Sequence, residues 1–268
     1  MTRLLLMVGV AALAFYGIRR LLEMALRLPE DGSPGPRWRG EAPPPRYDPL
    51  AMGEWLHGAV MDAYGAERPG WALEQVERVM ERLQRGRPAD RRLVTEVLWV
   101  SDANAFTAPG RYVYISRRLL ERCPTDAAAA LVLAHEIAHH DLGHVELFAG
   151  WLRNLPRGMG SVALAGLFRS AAKRCYGPER EAAADRHALE LCRSAGYDPA
   201  LCLKLFDVLE ADALDHGDVE GVFGPDAAYA AELGEMAEWR SELEVWLWER
   251  ARGYPSLRER RAALEEVA

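Results

Sequence analysis

Residues 125–144 read Thr-Asp-Ala-Ala-Ala-Ala-Leu-Val-Leu-Ala-His-Glu-Ile-Ala-His-His-Asp-Leu-Gly-His. Thr125 and Asp126 offer a helix N-cap, and the apolar run behind them, through Leu131, Leu133, Ala134 and Ile137, predicts a long helix. Its second half carries His135-Glu136-Ile137-Ala138-His139, the H-E-x-x-H pattern. Histidines four apart leave the same side of a helix, so both imidazoles reach one tetrahedral cation. Glu136 between them points to the neighbouring edge, where a bound water would lie. Polar side chains in so apolar a helix need partners if they are buried. The pattern suits metal-assisted hydrolysis.

A catalytic Zn2+ takes three protein ligands and keeps one position open, so a third ligand must come from downstream. The metzincin arrangement requires a Gly and then a His after the second histidine, and it fails here, because Leu142 and Val145 stand at those places. The gluzincin arrangement takes a Glu from a later helix. Glu181-Ala182-Ala183-Ala184-Asp185 provides Glu and Asp four apart on one helix face, some forty residues on. Glu181 is the expected third ligand and Asp185 the expected acceptor for the N–H of a ligand imidazole. His140, His144 and His187 have no ligand spacing of their own and are read as supporting or structural.

Outward from this core, Trp71 to Leu83 has helical apolar spacing, while Arg92 to Val100 and Tyr112 to Ile115 read as strands of a small sheet. Glu179 to Ala195, closed by Gly196, and Pro199 to Leu209 read as helices. Asp212 to Pro225 reads as a loop, and Asp226 to Glu249, with Trp239, Trp246 and Trp248, as a helix. Met159 to Ala172 is expected as a core or membrane-leaning helix, with the core favoured. With 268 residues, half of them apolar, the chain has room for one catalytic domain plus an appendage.

The appendage is N-terminal. Leu4 to Ile18 is apolar or Gly throughout, apart from Tyr16, and is flanked by Arg3, Arg19 and Arg20. As a helix it spans about 22 Å against a hydrocarbon core of about 30 Å, and continuing to Leu28 lengthens it. A membrane anchor over residues 4–28 is the expectation, with a cleaved signal peptide as the alternative. Arg19, Arg20, Arg27, Arg37 and Arg39 outnumber Arg3 across the apolar run, which places the catalytic part in the cytoplasm by the positive-inside rule. Residues 29–48 are Pro- and Gly-rich and read as a linker. The expected organisation is 1–28 anchor, 29–48 linker and 49–268 catalytic domain. A net charge of -7 gives no electrostatic reason to expect nucleic acid. Cys123, Cys175, Cys192 and Cys202 show no C-x-x-C spacing and read as buried thiols, a Cys192–Cys202 bridge remaining open.

Four features together resemble the HtpX and CAAX-prenyl-protease type of zinc metallopeptidases. They are Asn104-Ala105-Phe106 followed by Pro109-Gly110 and a strand, the helix His135 to His144 with an extra His nine residues after the first, the Glu181-to-Asp185 element, and Pro255 with Arg260. The resemblance covers about residues 70–264. It implies an α+β, predominantly helical, zincin-like domain with a small sheet bordering the cleft, one Zn2+ per chain, and protein or peptide substrates. It further implies that Asn104 and the strand with Tyr112, Val113 and Tyr114 grip an extended substrate backbone by strand pairing. The reaction expected is peptide hydrolysis with Glu136 as base, and Tyr254 or Arg260 as the donor to the developing oxyanion. The chain departs from the pattern at Arg111, where many relatives have Gly, and at Tyr254, where they have His. The alternative is a zinc-binding or chaperone-like membrane-tethered protein that does not cut.

Overall fold

The computed structural model describes residues 48–66, 69–100, 103–147, 161, 165, 176–216 and 255–268, with backbone alone for 211–216. The anchor 4–28, the linker up to residue 47, the helix expected over 226–249, Cys175 and Tyr254 lie outside these residues. No helix among the described residues is long and apolar enough to cross a membrane.

The described chain opens with helix α1, Pro49–Tyr64, capped by Asp48, whose carboxylate accepts from the Leu50 and Ala51 amides. Helix α2, Trp71–Leu83, buries Ala72, Val76, Val79, Met80 and Leu83 along one stripe. Three strands follow: β1 Val94–Leu98, β2 Ala105–Ala108 and β3 Tyr112–Ser116. Their order is β1-β3-β2. β3 pairs parallel with β1 (Val94 opposite Tyr112) and antiparallel with β2 (Ala105 opposite Ile115). The β2–β3 hairpin turns through Pro109-Gly110-Arg111, with Gly110 at φ +81°, a left-handed conformation that glycine adopts without penalty.

Helix α3, Arg117–Arg122, leads into α4, Asp126–Asp141, whose N-cap Thr125 accepts from the Ala128 amide. Every residue of α4 from Ala127 to His139 is buried, so this helix is the axis of the domain. Around it pack α5, Pro178–Ser194, the short α6, Pro199–Cys202, and α7, Lys204–His216, and the C-terminal α8, Leu257–Glu265, packs on α5 and α7. The helix expected over 199–209 therefore breaks at Leu203, and the segment from Asp212, expected as a loop, continues α7 as far as His216. Asp and His within 212–216 are weak helix formers, but the helix is already propagating when it reaches them.

The sheet divides the core in two. Val113 and Ile115 face the large cluster built on α4, α2, α5 and α7, while Phe106, Ala108 and Tyr114 face a second cluster with Met52, Leu56, Ala59 and Val60 of α1. Ala165 and Tyr176 belong to that second cluster. Cys123, Cys192 and Cys202 are buried free thiols, as expected, and Cys192 and Cys202 hydrogen-bond to one another.

Candidate metal centre

Two helices meet at the site. α4 brings His135 and His139, one turn apart, and α5 brings Glu181 from its first turn, where a carboxylate is favoured by the unpaired amides of the helix start. His135 Nε2 lies 3.0 Å from His139 Nε2 and 3.3 Å from Glu181 Oε2, and His139 Nε2 lies 3.5 Å from Glu181 Oε1. All three residues are buried. A tetrahedral zinc with bonds of about 2.0–2.1 Å separates its ligand atoms by about 3.3 Å. The spacings found are those of three corners of such a tetrahedron, and the donor set, two imidazoles and a carboxylate, is one zinc favours. The residues fit the cation.

A second layer fixes each ligand. His135 turns its other nitrogen, Nδ1, to Asp185 Oδ1 at 2.9 Å. Asp185 in turn receives both Nε and Nη2 of Arg260, at 2.7 and 2.5 Å, and Arg260 also stands 3.6 Å from Glu181 Oε2. His139 Nδ1 is 3.0 Å from His144 Nδ1, and the Tyr176 ring stacks on the His139 ring with centroids 3.8 Å apart. Each ligand imidazole is thus oriented from behind, which sets the nitrogen it presents.

The electrostatics follow from burial and these contacts. Burial alone lowers the basicity of His135, but its bonds to Asp185 and Glu181 outweigh that and push its pKa up to about 9. Burial, reinforced by the charge of His135, holds His139 well below the usual histidine range and therefore neutral. Burial pushes the Glu136 carboxyl up to about 7, where a group exchanges protons readily near neutral pH. For Asp185, burial acts upward, but Arg260 and then His135 more than reverse it and hold the carboxyl well below the usual range.

Two expectations change. Arg260, expected as a donor to the oxyanion, spends its fork on Asp185, so its place in the structure is behind the ligands. The strand expected to pair with substrate, Tyr112 to Ile115, is the middle strand, with β1 on one side and β2 on the other, and its main-chain groups are already used. Tyr112, Val113 and Tyr114 therefore shape the sheet, and among the described residues β2 is the outer strand nearest the metal helix. Asn104 stands at the head of that strand. Its backbone is tied to Ser116, whose Oγ accepts from the Asn104 amide and whose amide donates to the Asn104 carbonyl, while neither atom of its buried side-chain amide has a hydrogen-bond partner among the described residues. An unpaired buried amide is costly, so this one is suited to a ligand. Tyr176 escaped sequence reading because a lone Tyr before Gly-Pro carries no pattern. His144 had one signal, its place nine residues after His135.

A buried H-E-x-x-H helix, a Glu from a later helix and a small sheet alongside define a zincin-type metallopeptidase centre. The chain matches the model of peptidase family M48 over residues 67–268 and belongs to that family. It is accordingly a metallopeptidase of a family that uses zinc and acts on proteins or peptides. No curated protein matches the chain.

Proposed function

We propose that this protein is a membrane-anchored endopeptidase that holds one Zn2+ with His135, His139 and Glu181 and works in protein quality control or proteolytic processing. The observation that carries the reading is the convergence of those three side chains, from two helices, to within 4.8 Å of one another, with Glu136 buried beside them. The metal, when bound, supplies the charge that makes a water molecule acidic near neutral pH and draws electron density from a peptide carbonyl. Glu136 takes the proton of that water, keeps it in a carboxyl that burial has already made receptive, and hands it to the leaving amine. Asp185 and Arg260 hold His135 and Glu181 still while charge builds up. Tyr254 stays the candidate donor to the oxyanion.

The substrate is laid as an extended strand along β2, with Asn104 receiving a main-chain group at its head. Main-chain pairing reads little side-chain identity, so sequence specificity is loose. Residues 4–28 serve as a single-pass anchor, and the arginines that follow the apolar run favour a cytoplasmic catalytic domain. Casein cleavage by the wild type and by Glu136→Gln tests the activity. The wild type cuts and loses activity to a chelator, while the variant keeps its zinc and loses at least about a hundred-fold in rate, as expected when a general base is removed. Zinc-loaded wild type without Glu136-dependent cleavage identifies a non-catalytic zinc protein instead.

A further inference from the structure

His140 directly follows the ligand His139 on α4 and takes no part in the cation site. Its Nε2 lies 2.5 Å from Thr107 Oγ1 on β2. Thr107 is fully buried, and its hydroxyl donates to the Tyr112 carbonyl at 3.0 Å. A hydroxyl has one proton, so with that proton given to Tyr112, the Thr107 oxygen accepts from His140 and the imidazole carries its proton on Nε2. The result is a chain of hydrogen bonds from the metal helix through the outer strand to the middle strand, and His140 also bonds to the Tyr112 main chain. Alternation along β2 turns Ala105 and Thr107 to the α4 side and Phe106 and Ala108 to the α1 side. Ala105 has no polar atom to offer, so the Thr107 hydroxyl is the β2 side-chain group that bonds to α4.

This juxtaposition bears on turnover. If the peptide lies along β2 and is cut at the cation, as proposed above, the strand has to stand at a fixed height against the metal helix. A misplacement of about 1 Å costs on the order of a hundred-fold in rate. Among the described residues, the sheet holds β2 from one side only, through β3. We infer that His140 and Thr107 form a latch that sets the outer strand against the metal helix, and that both are positioning residues for cleavage of extended peptides. The inference rests on the proposed endopeptidase reading and adds to it the element that relates the peptide's register to the metal.

Steady-state kinetics on a fluorogenic peptide of about eight residues test it, with zinc content and thermal unfolding measured on each protein. Thr107→Val keeps the shape of the side chain and removes the hydroxyl. It lowers kcat about ten-fold, leaves KM within about two-fold and leaves zinc content unchanged, because the strand still binds peptide but no longer holds it at the right height. Thr107→Ser restores most of the rate. His140→Phe repeats the loss, and the double variant Thr107→Val/His140→Phe is no slower than the worse single, because the bond between the two side chains is already lost in either single. The latch is overturned if Thr107→Val cuts at the wild-type rate, if the loss tracks lost zinc or lost folded protein, if KM alone moves, or if the double variant falls by the product of the singles. Wild type that shows no cleavage above the Glu136→Gln background overturns the endopeptidase reading itself, and the latch with it.

Discussion

At the residue scale the site is an exchange between a proton and a cation. With its pKa at about 9, His135 is protonated at pH 7 when no metal is present, held so by Asp185 and Glu181, and the metal must displace that proton to bind. Zinc binding at pH 7 should therefore release about one proton from His135, falling toward none above about pH 10. Titration calorimetry in buffers of different ionisation heat reads this, and an uptake independent of buffer contradicts it. Behind His135 the Asp185–Arg260 pair is buried, and truncating one partner strands the other's charge. Arg260→Met should cost about 3 kcal/mol of stability in urea unfolding. Because the folded-state pKa of Asp185 is depressed, the pair's contribution is complete above the unfolded carboxyl's pKa of about 4 and is lost as pH falls below it. The gap between wild type and variant should therefore close as the pH falls below about 4. The ligands and Asp185 were legible in the sequence because their spacing on two helices is local. The partner of Asp185 was not, since Arg260 lies 75 residues away and nothing local marks which carboxylate it meets.

At the scale of elements, α4, α2 and α5 follow from periodicity and capping, and the sequence places the ends of α2 and α5 within a residue, while α4 stops at Asp141, short of the His144 expected. Strand order does not follow, because alternation along Tyr112 to Ile115 reads the same whether a strand is central or at an edge. Only the crossover that sets β1 parallel to β3 decides it. Helix α1 shows a further kind of concealment. Met52, Leu56, Ala59 and Val60 recur at helical spacing behind an Asp-Pro cap, but Gly53 and Gly58 interrupt the pattern and a proline-rich run precedes it. The reason for Gly53 is tertiary. A methyl group there would stand 2.2 Å from the Pro109 carbonyl oxygen, on backbone that cannot swing aside. Gly53→Ala should push α1 off the β2–β3 turn and cost about 1–3 kcal/mol, read as a lowered thermal midpoint. An unchanged midpoint would show that the helix docks on the turn less closely than the structure has it.

At the scale of the whole molecule, the match to family M48 begins at residue 67, yet Met52, Leu56, Ala59 and Val60 of α1 are fully buried against the sheet. Among the described residues, the packed fold thus reaches back at least to helix α1 and its cap Asp48. One cluster under α4 supports the metal from the sheet side, and the second ties α1 to Tyr176, which covers His139. Ligand geometry is therefore a property of both cores. All of this depends on three side chains sharing one cation, and the direct measurement is the zinc content and zinc affinity of the purified chain and of Glu181→Gln against a competing chelator. One zinc per wild-type chain is expected and, for the variant, affinity at least about a hundred-fold weaker, since a charged ligand is replaced by a neutral one. A Glu181→Gln protein that keeps zinc as tightly as the wild type would contradict it.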